Sequence, residues 1–314
     1  MNIHSTNKRQ VGLIFGKFYP LHCGHIYLIE KAVSQVDELH VFLGCEQARD
    51  LSLFENSHMP RQPQVKDRLY WLQETFKNRR NIHIHVLDEE NIAYYPNGWQ
   101  DWSDRVNAIL QKHQVTPTVV FTSESQDAKN HQLYFNCEVK LVDADRQFIN
   151  ISATKIRSEP YQNWQFIAKA AKPFFIKRIA IIGDKQFDKL PKQLANIYNT
   201  QYVSNGYINY IQHQHLHNNK LVLNESDYIR IALLHAQRLD EAMPLANQII
   251  FTSLDFQTLH DFYRKAFEKS SKILQKLEDN YYFDQVIDAS CFKQSDSSLT
   301  VFEKAVDMIN KQLS

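Results

Sequence analysis

Cysteine is scarce and badly placed for metal binding: Cys23, Cys45, Cys137 and Cys291 are scattered through 314 residues. None stands in a paired metal spacing, so the expectation is a reduced, cytosolic chain. Excess charge is missing too. Lys and Arg number 36 against 35 Asp and Glu, a formal net charge of +1, which gives no electrostatic reason to bind nucleic acid. The N-terminus, MNIHSTNKRQ, lacks an apolar signal-peptide core, and no stretch is long enough to span a membrane. Repeats and low-complexity linkers are also absent. What remains is an ordinary globular composition, 43% apolar and 23% charged. The chain is long enough for two domains, each with its own core.

The most informative stretch is Val11 to His25, VGLIFGKFYPLHCGH. Val11 to Phe15 is an apolar run of strand character, ended by Gly16, and Pro20 keeps a helix from starting before Leu21. Ile26, Leu28, Ile29, Ala32 and Val33 then recur at helical spacing. The pattern reads as a strand, a tight turn and a helix start, with His22 and His25 placed to face one site. A helix N-terminus there offers free N–H groups and a partial positive charge, which suits phosphate. Gly16 and Gly24 would let the backbone approach a ligand closely. The plain alternative is an ordinary strand–turn–helix carrying surface histidines.

Gly16, Phe18, Pro20, His22, Gly24 and His25 together form GxFxPxHxGH, which resembles the first signature of the nucleotidylyltransferase superfamily. Far downstream, ISATKIR at Ile151 to Arg157 resembles its second signature, ISxTxIR, with Ser152, Thr154 and Arg157 in place. The loop Tyr95-Pro96-Asn97-Gly98-Trp99-Gln100 and the run Pro173-Phe174-Phe175 narrow the resemblance to NadR-type proteins. These join a nicotinamide mononucleotide (NMN) adenylyltransferase to a ribosylnicotinamide kinase. The likeness is dense over Val11 to Arg178 and thin afterwards.

The resemblance implies an α/β protein in two parts. Residues 1–173 would be a Rossmann-like nucleotidylyltransferase domain, a parallel sheet flanked by helices. Residues 174–314 would be a P-loop-kinase-like α/β domain. The implied reaction joins ATP and NMN to give NAD+ and pyrophosphate, a step of NAD biosynthesis. His22, His25 and Lys17 would act on the phosphates. Gly16, Phe18, Gly24, Ser152, Thr154 and Arg157 would bind ATP. Tyr95, Asn97 and Trp99 would bind NMN, because a cationic pyridinium matches an aromatic face; the alternative for Trp99 is a structural plug. Mg2+ would bridge ATP oxygens and waters, with no dedicated protein ligand for a metal. Asp67 and Arg68 are weaker candidates for the site wall. Some NadR-type proteins carry an N-terminal helix-turn-helix repressor, but only ten residues precede Val11, so no repressor role is expected. No nucleic-acid or membrane partner is implied, and a homo-oligomer stays open. An adenylyltransferase for another acceptor, a non-catalytic nucleotide sensor and a bifunctional enzyme that also phosphorylates nicotinamide riboside are the alternatives.

Between the two signatures, Leu39 to Leu43 reads as a strand and Glu46 to Met59 as a polar loop over the site. Val65 to Phe76 has helical spacing. Isoleucines 82 and 84 and Val86 alternate with His83 and His85, which marks a strand whose histidines are solvated rather than metal ligands. Trp102 reads as core. Val119 to Phe121 is a buried strand delivering Thr122, Ser123 and Glu124 at its C-terminal end, where ligands bind in open parallel sheets. Phe135 to Val142 reads as the last strand of the first domain.

The second domain opens on the strand Lys177 to Ile182 and then departs from its relatives. A kinase of this type needs GxxxxGK[ST] next. Here Gly183 stands first, Asp188 replaces the second glycine, Lys189 keeps the lysine position and Leu190 replaces the Mg2+-holding hydroxyl. Near Ile249 to Phe256 only Asp255 remains of the acidic function expected, and the chain ends where relatives run on. The expectation is a kinase fold retained without its activity. QHQHLH at Gln212 to His217 reads as a solvated loop rather than a metal site.

Overall fold

The structure, a computed structural model, describes residues 9–183, 187–205, 223–292 and 298–313. The chain divides into two compact units, Met1–Phe174 and Phe175–Ser314.

The first unit runs β1 (Val11–Gly16), α1 (Cys23–Val33), β2 (Glu38–Cys45), α2 (Gln47–Glu55), α3 (Val65–Thr75), β3 (Ile82–Asp88), α4 (Trp99–Lys112), β4 (Val119–Thr122), α5 (Ala128–Phe135), β5 (Glu138–Leu141) and α6 (Ala153–Ser158). The strands pair in the order β3-β2-β1-β4-β5, all parallel. Parallel neighbours need crossover connections, and helices supply them here. Helices over both faces explain why the central strands are apolar along their length: Leu13, Ile14, Val41, Phe42, Leu43, Val120 and Phe121 are all buried. The strand order reverses between β1 and β4, so the ligand crevice is expected at the C-terminal ends of those two strands.

Two expectations are corrected. Glu46 to Met59 holds α2 rather than only a loop. The Glu46 carboxylate accepts from the Ala48 and Arg49 N–H groups at 3.1 and 2.7 Å, which caps the helix start. The run Phe135 to Val142 is not all strand. Phe135 is the buried last residue of α5, and Asn136 at φ 47° leaves the helix before β5 begins.

The short helix α7 (Lys172–Phe175) crosses into the second unit. There follow β6 (Lys177–Ile182), α8 (Leu190–Ile197), β7 (Gln201–Val203), α9 (Glu225–Ala242), β8 (Ile249–Thr252), α10 (Phe256–Phe267), α11 (Lys272–Asn280), β9 (Gln285–Asp288) and α12 (Ser298–Leu313). The sheet order is β7-β8-β6-β9, again parallel. Its core gathers Ile179, Ile181, Leu194, Ile249, Phe251 and Ile287. The whole chain is thus a two-unit α/β protein. Gln212 to His217 and residues 184–186 lie outside the described residues. No helix among the described residues is long and apolar enough to cross a membrane.

Candidate active site

The turn after β1 builds the first half of the site. His22 is the N-cap of α1, and its Nδ1 accepts from the Gly24 N–H at 3.1 Å. That bond leaves the proton of the neutral ring on Nε2. His25 stacks on His22 with ring centroids 3.8 Å apart, and Phe18 meets His25 edge-on at 5.0 Å. Both histidines line one cavity with Ser123, Glu124, Arg146 and the Ser152–Thr154 turn. The two rings thus open on the same cavity, which sits at the β1/β4 switch point.

Burial and neighbouring cations keep both rings neutral. Burial first, then Arg146 and Arg157, push His22 down to about 4. Burial, His22 and the same two arginines hold His25 well below the usual range. His25 Nδ1 is buried with no hydrogen-bond partner. An arriving polyphosphate would reverse this balance, because an adjacent anion favours the charged imidazole.

The second signature supplies the opposite wall. Ser152 caps α6, accepting from the Lys155 N–H at 3.2 Å. Arg157 donates to the Tyr19 carbonyl at 2.8 Å and to Thr154 Oγ1 at 2.9 Å. It thereby ties the second signature to the turn of the first, about 140 residues away in sequence. Asp143, another lining residue, uses its carboxylate to accept from the Phe148 and Ile149 N–H groups, both at 3.0 Å.

A second cavity lies beside Lys17 and is walled by Arg49, Glu89, Tyr95, Trp99 and Trp102. Trp99 is the first residue of α4, and its indole N–H is buried without a partner. Trp102 Nε1 donates to Glu89 at 3.0 Å. The Arg49 guanidinium lies 4.3 Å over the Tyr94 ring and donates to the Ile92 carbonyl at 2.8 Å. The arrangement offers aromatic edges and faces beside one carboxylate, a setting suited to a flat cation.

Several expected roles change in this setting. Phe18 is 1% exposed, so its ring backs His25 rather than touching a ligand. A side chain on Gly16 would meet the Phe18 ring at 3.1 Å, and one on Gly24 the His22 ring at 3.0 Å. These glycines make room for the protein's own rings before any ligand arrives. Lys17 turns away from the histidine cavity: its Nζ lies 3.2 Å from Glu89 and 3.4 Å from Asp50. Asn97 is exposed and does not line the aromatic cavity, whereas Tyr95 and Trp99 do. Trp102 is a cavity wall as well as a core residue. Asp67 caps α3 by accepting from the Gln64 N–H at 2.9 Å. Arg68 is fully buried, ion-paired with Asp50 and bonded to the Lys17 and Gly44 carbonyls at 3.1 and 3.2 Å. Neither is site wall; Arg68 anchors the turn that carries Lys17.

Glu89 and Arg146 were not singled out from sequence. The signal for Glu89 was a carboxylate directly after the C-terminal end of β3, the ligand end of the sheet. Arg146 had no comparable signal, since it reaches the site through an irregular loop.

The matching position of the second unit is different. Gly183 keeps φ +135°, a conformation that favours glycine. Asp188 and Lys189 are exposed, and Leu190 is 4% exposed within the core cluster. Asp255 caps α10, its carboxylate accepting from the Thr258 N–H at 2.8 Å and the residue only 3% exposed. Thr252 is fully buried and bonds to His235 and Leu254.

Residues 13–159 match the family described as Cytidylyltransferase-like. A protein of Salmonella typhimurium, "Trifunctional NAD biosynthesis/regulator protein NadR", is 43% identical over 282 residues, covering 89% of this chain and 68% of that protein. The Escherichia coli protein of the same name matches at the same identity and coverage. A nicotinamide-nucleotide adenylyltransferase of Thermococcus onnurineus is 30% identical over 197 residues, 59% of this chain and 90% of its own. A solved NadR protein in complex with NAD and AMP-PNP superposes with a TM-score of 0.73 at 20% identity, over 97% of this chain and 88% of that one. That superposition speaks for the fold alone. With 43% identity maintained over 89% of its length, and with both signatures converging on one cavity, the chain belongs to the NadR family.

Proposed function

We propose that the first unit is a nicotinamide-nucleotide adenylyltransferase, converting ATP and NMN to NAD+ and pyrophosphate. The observation that carries this is the stacked, neutral His22–His25 pair at the switch point, facing the Ser152–Thr154 turn. A phosphate oxygen of NMN attacks the α-phosphorus of ATP, and the bond to pyrophosphate breaks. The attacking oxygen is already anionic, so no general base is needed. The protein's work is alignment and charge neutralisation. His22 offers its Nε2–H to the phosphates, and His25 is held against it. Ser152, Thr154 and the N–H groups of α1 receive the leaving pyrophosphate. Arg157 braces that wall and adds positive charge.

NMN takes the aromatic cavity, with its pyridinium ring against Trp99 and Tyr95 and its positive charge beside Glu89. Lys17 stands where it can exchange its two carboxylate partners for the NMN phosphate. Mg2+ delivered with ATP would face Glu124, the lining carboxylate not bonded to backbone N–H groups, which would have to give up Gln126 at 3.0 Å or Arg146 at 3.5 Å, and the ion would keep most of its own water. When bound, the ion would offset phosphate charge. The second unit is a P-loop-like scaffold without kinase activity, a reading supported by Leu190 in the core and Asp255 committed to a helix cap.

The test is formation of NAD+ and pyrophosphate by the purified full chain from ATP with a panel of acceptor mononucleotides. Turnover with another acceptor alone would move the assignment within the superfamily. ATP binding without turnover on any acceptor would replace it with a sensor.

A further inference from the structure

At the opposite end of the first sheet, where β2 and β3 begin, Glu38, His40 and His83 point their ligand atoms at one spot. One atom from each lies within 4.8 Å of the others. Glu38 and His40 are two apart on β2 and so share a face, and His83 is the register partner of His40 on β3. His40 Nε2 lies 3.8 Å from one Glu38 oxygen, and His83 Nε2 lies 3.6 Å from the other. Ligand atoms on one tetrahedral zinc ion sit about 3.3 Å apart, given bonds of about 2.0–2.1 Å. The two approaches to Glu38, made to different oxygens, are a few tenths of an ångström wider than that, and the three ligand atoms are gathered only to within 4.8 Å of one another, so His83 has to move inward to complete a site.

His40 supplies the independent observation. It is 3% exposed, and its Nε2 is buried with no hydrogen-bond partner. Leaving such an atom unsatisfied is costly, which makes it a position awaiting a ligand. Its other nitrogen, Nδ1, lies 2.9 Å from His85 Nε2. That contact fixes the ring and, with His85 as acceptor, leaves Nε2 unprotonated, the arrangement usual around metal-bound histidine. His85 is therefore not the solvated strand residue its alternation implied.

We propose that Glu38, His40 and His83 form a site for a divalent transition-metal ion of the zinc type, separate from the phosphate chemistry. Two imidazoles and one carboxylate are a common zinc ligand set, with water in the fourth position. His40 is the fixed ligand. His83, whose side chain is 41% exposed, is free to tilt from its present stack on His40. The present partner of Glu38 is Arg9, whose side chain is 66% exposed. An ion pair so exposed holds weakly and is readily given up. A bound ion would clamp the starts of two adjacent strands.

The test is titration of the untagged, metal-stripped full chain with Zn2+ and Co2+. The expected result is one tight equivalent and the Co2+ absorption of a tetrahedral nitrogen–oxygen site. His83→Ala and Glu38→Gln are each expected to weaken binding by tenfold or more, while metal-free melting and adenylyl transfer stay unchanged. Zn2+ should raise the melting temperature of the unmodified chain but not of the variants. A triple His213→Ala, His215→Ala, His217→Ala chain should still bind its equivalent. Absence of a tight equivalent, or binding that survives both His83→Ala and Glu38→Gln, would overturn the proposal. So would binding lost only in the triple variant.

Discussion

The two units use one design and diverge at one place. Each is a parallel sheet with helices between its strands, and each has a central strand followed by a turn and a helix. In the first unit the turn after β1 leads to His22 at a helix cap, with two imidazoles held neutral in a polar cavity. In the second the turn after β6 leads to α8, whose first residue, Leu190, is packed into the core. A buried leucine stabilises the fold and offers nothing to a phosphate. Strands survive such a change because their burial does not depend on the loop chemistry at their ends.

The largest expected difference is all-or-none. The purified protein should form no NMN from nicotinamide riboside and ATP while making NAD+ readily from NMN. Phosphoryl transfer needs a glycine-lined anion cradle, a lysine and a correctly held Mg2+; Asp188 and Leu190 oppose that, and Asp255 is taken up as a helix cap. Robust kinase activity would erase the contrast between the units. Leu190→Ser, which restores the hydroxyl, should still give no kinase. It should instead cost the second unit about 2–5 kcal/mol, the range for truncating a buried leucine, read by chemical denaturation.

Next in size is the histidine pair. His22→Ala or His25→Ala should lower turnover of ATP and NMN by about a hundredfold or more, the scale of one preorganised charge-stabilising donor. Substrate binding should change less. Wild-type turnover in both variants would remove the pair from the mechanism.

Trp99→Ala should weaken NMN by about 1–2 kcal/mol while leaving the ATP constant nearly unchanged, the size of a lost desolvated cation–π contact. Equal losses for both substrates would make Trp99 a packing residue.

The last comparison is in pH stability. His22 and His131 are held at about 4 when folded, against 6.5 as the ordinary value, chiefly by burial. Between those values the unfolded chain binds more protons, so stability is full above about 6.5 and falls as pH drops toward 4. The first unit also buries His25, whereas the comparable residue among those described in the second is His235, also at about 4. All four tryptophans, Trp71, Trp99, Trp102 and Trp164, lie in the first unit. Indole fluorescence therefore reports that unit alone, and its melting temperature should fall on going from pH 7 to pH 5. An unchanged value would mean the rings are protonated as easily folded as unfolded.

Sequence by itself determined the elements that repeat a local rule. The buried strands β1, β2 and β4, the helix start at His22 and the cap at Ser152 follow from apolar runs, breakers and capping side chains within a few residues of one another. The two signatures likewise named His22, His25, Ser152, Thr154 and Arg157. Tertiary structure alone decided which of these groups meet and what they become. Phe18 reads as a ligand contact until its ring is seen under His25. Lys17 reads as a contact for the phosphates of either substrate until Glu89, just after β3, and Asp50, in α2, draw it away from the histidine cavity to the aromatic one. Arg68 reads as a candidate for the site wall until Asp50 and two carbonyls enclose it. Three imidazoles on β2 and β3, His40, His83 and His85, look like scattered polar residues until strand register sets His40 beside His83. In each case the deciding contact joins residues far apart in the chain, and burial and electrostatics act through space, where sequence spacing has no hold.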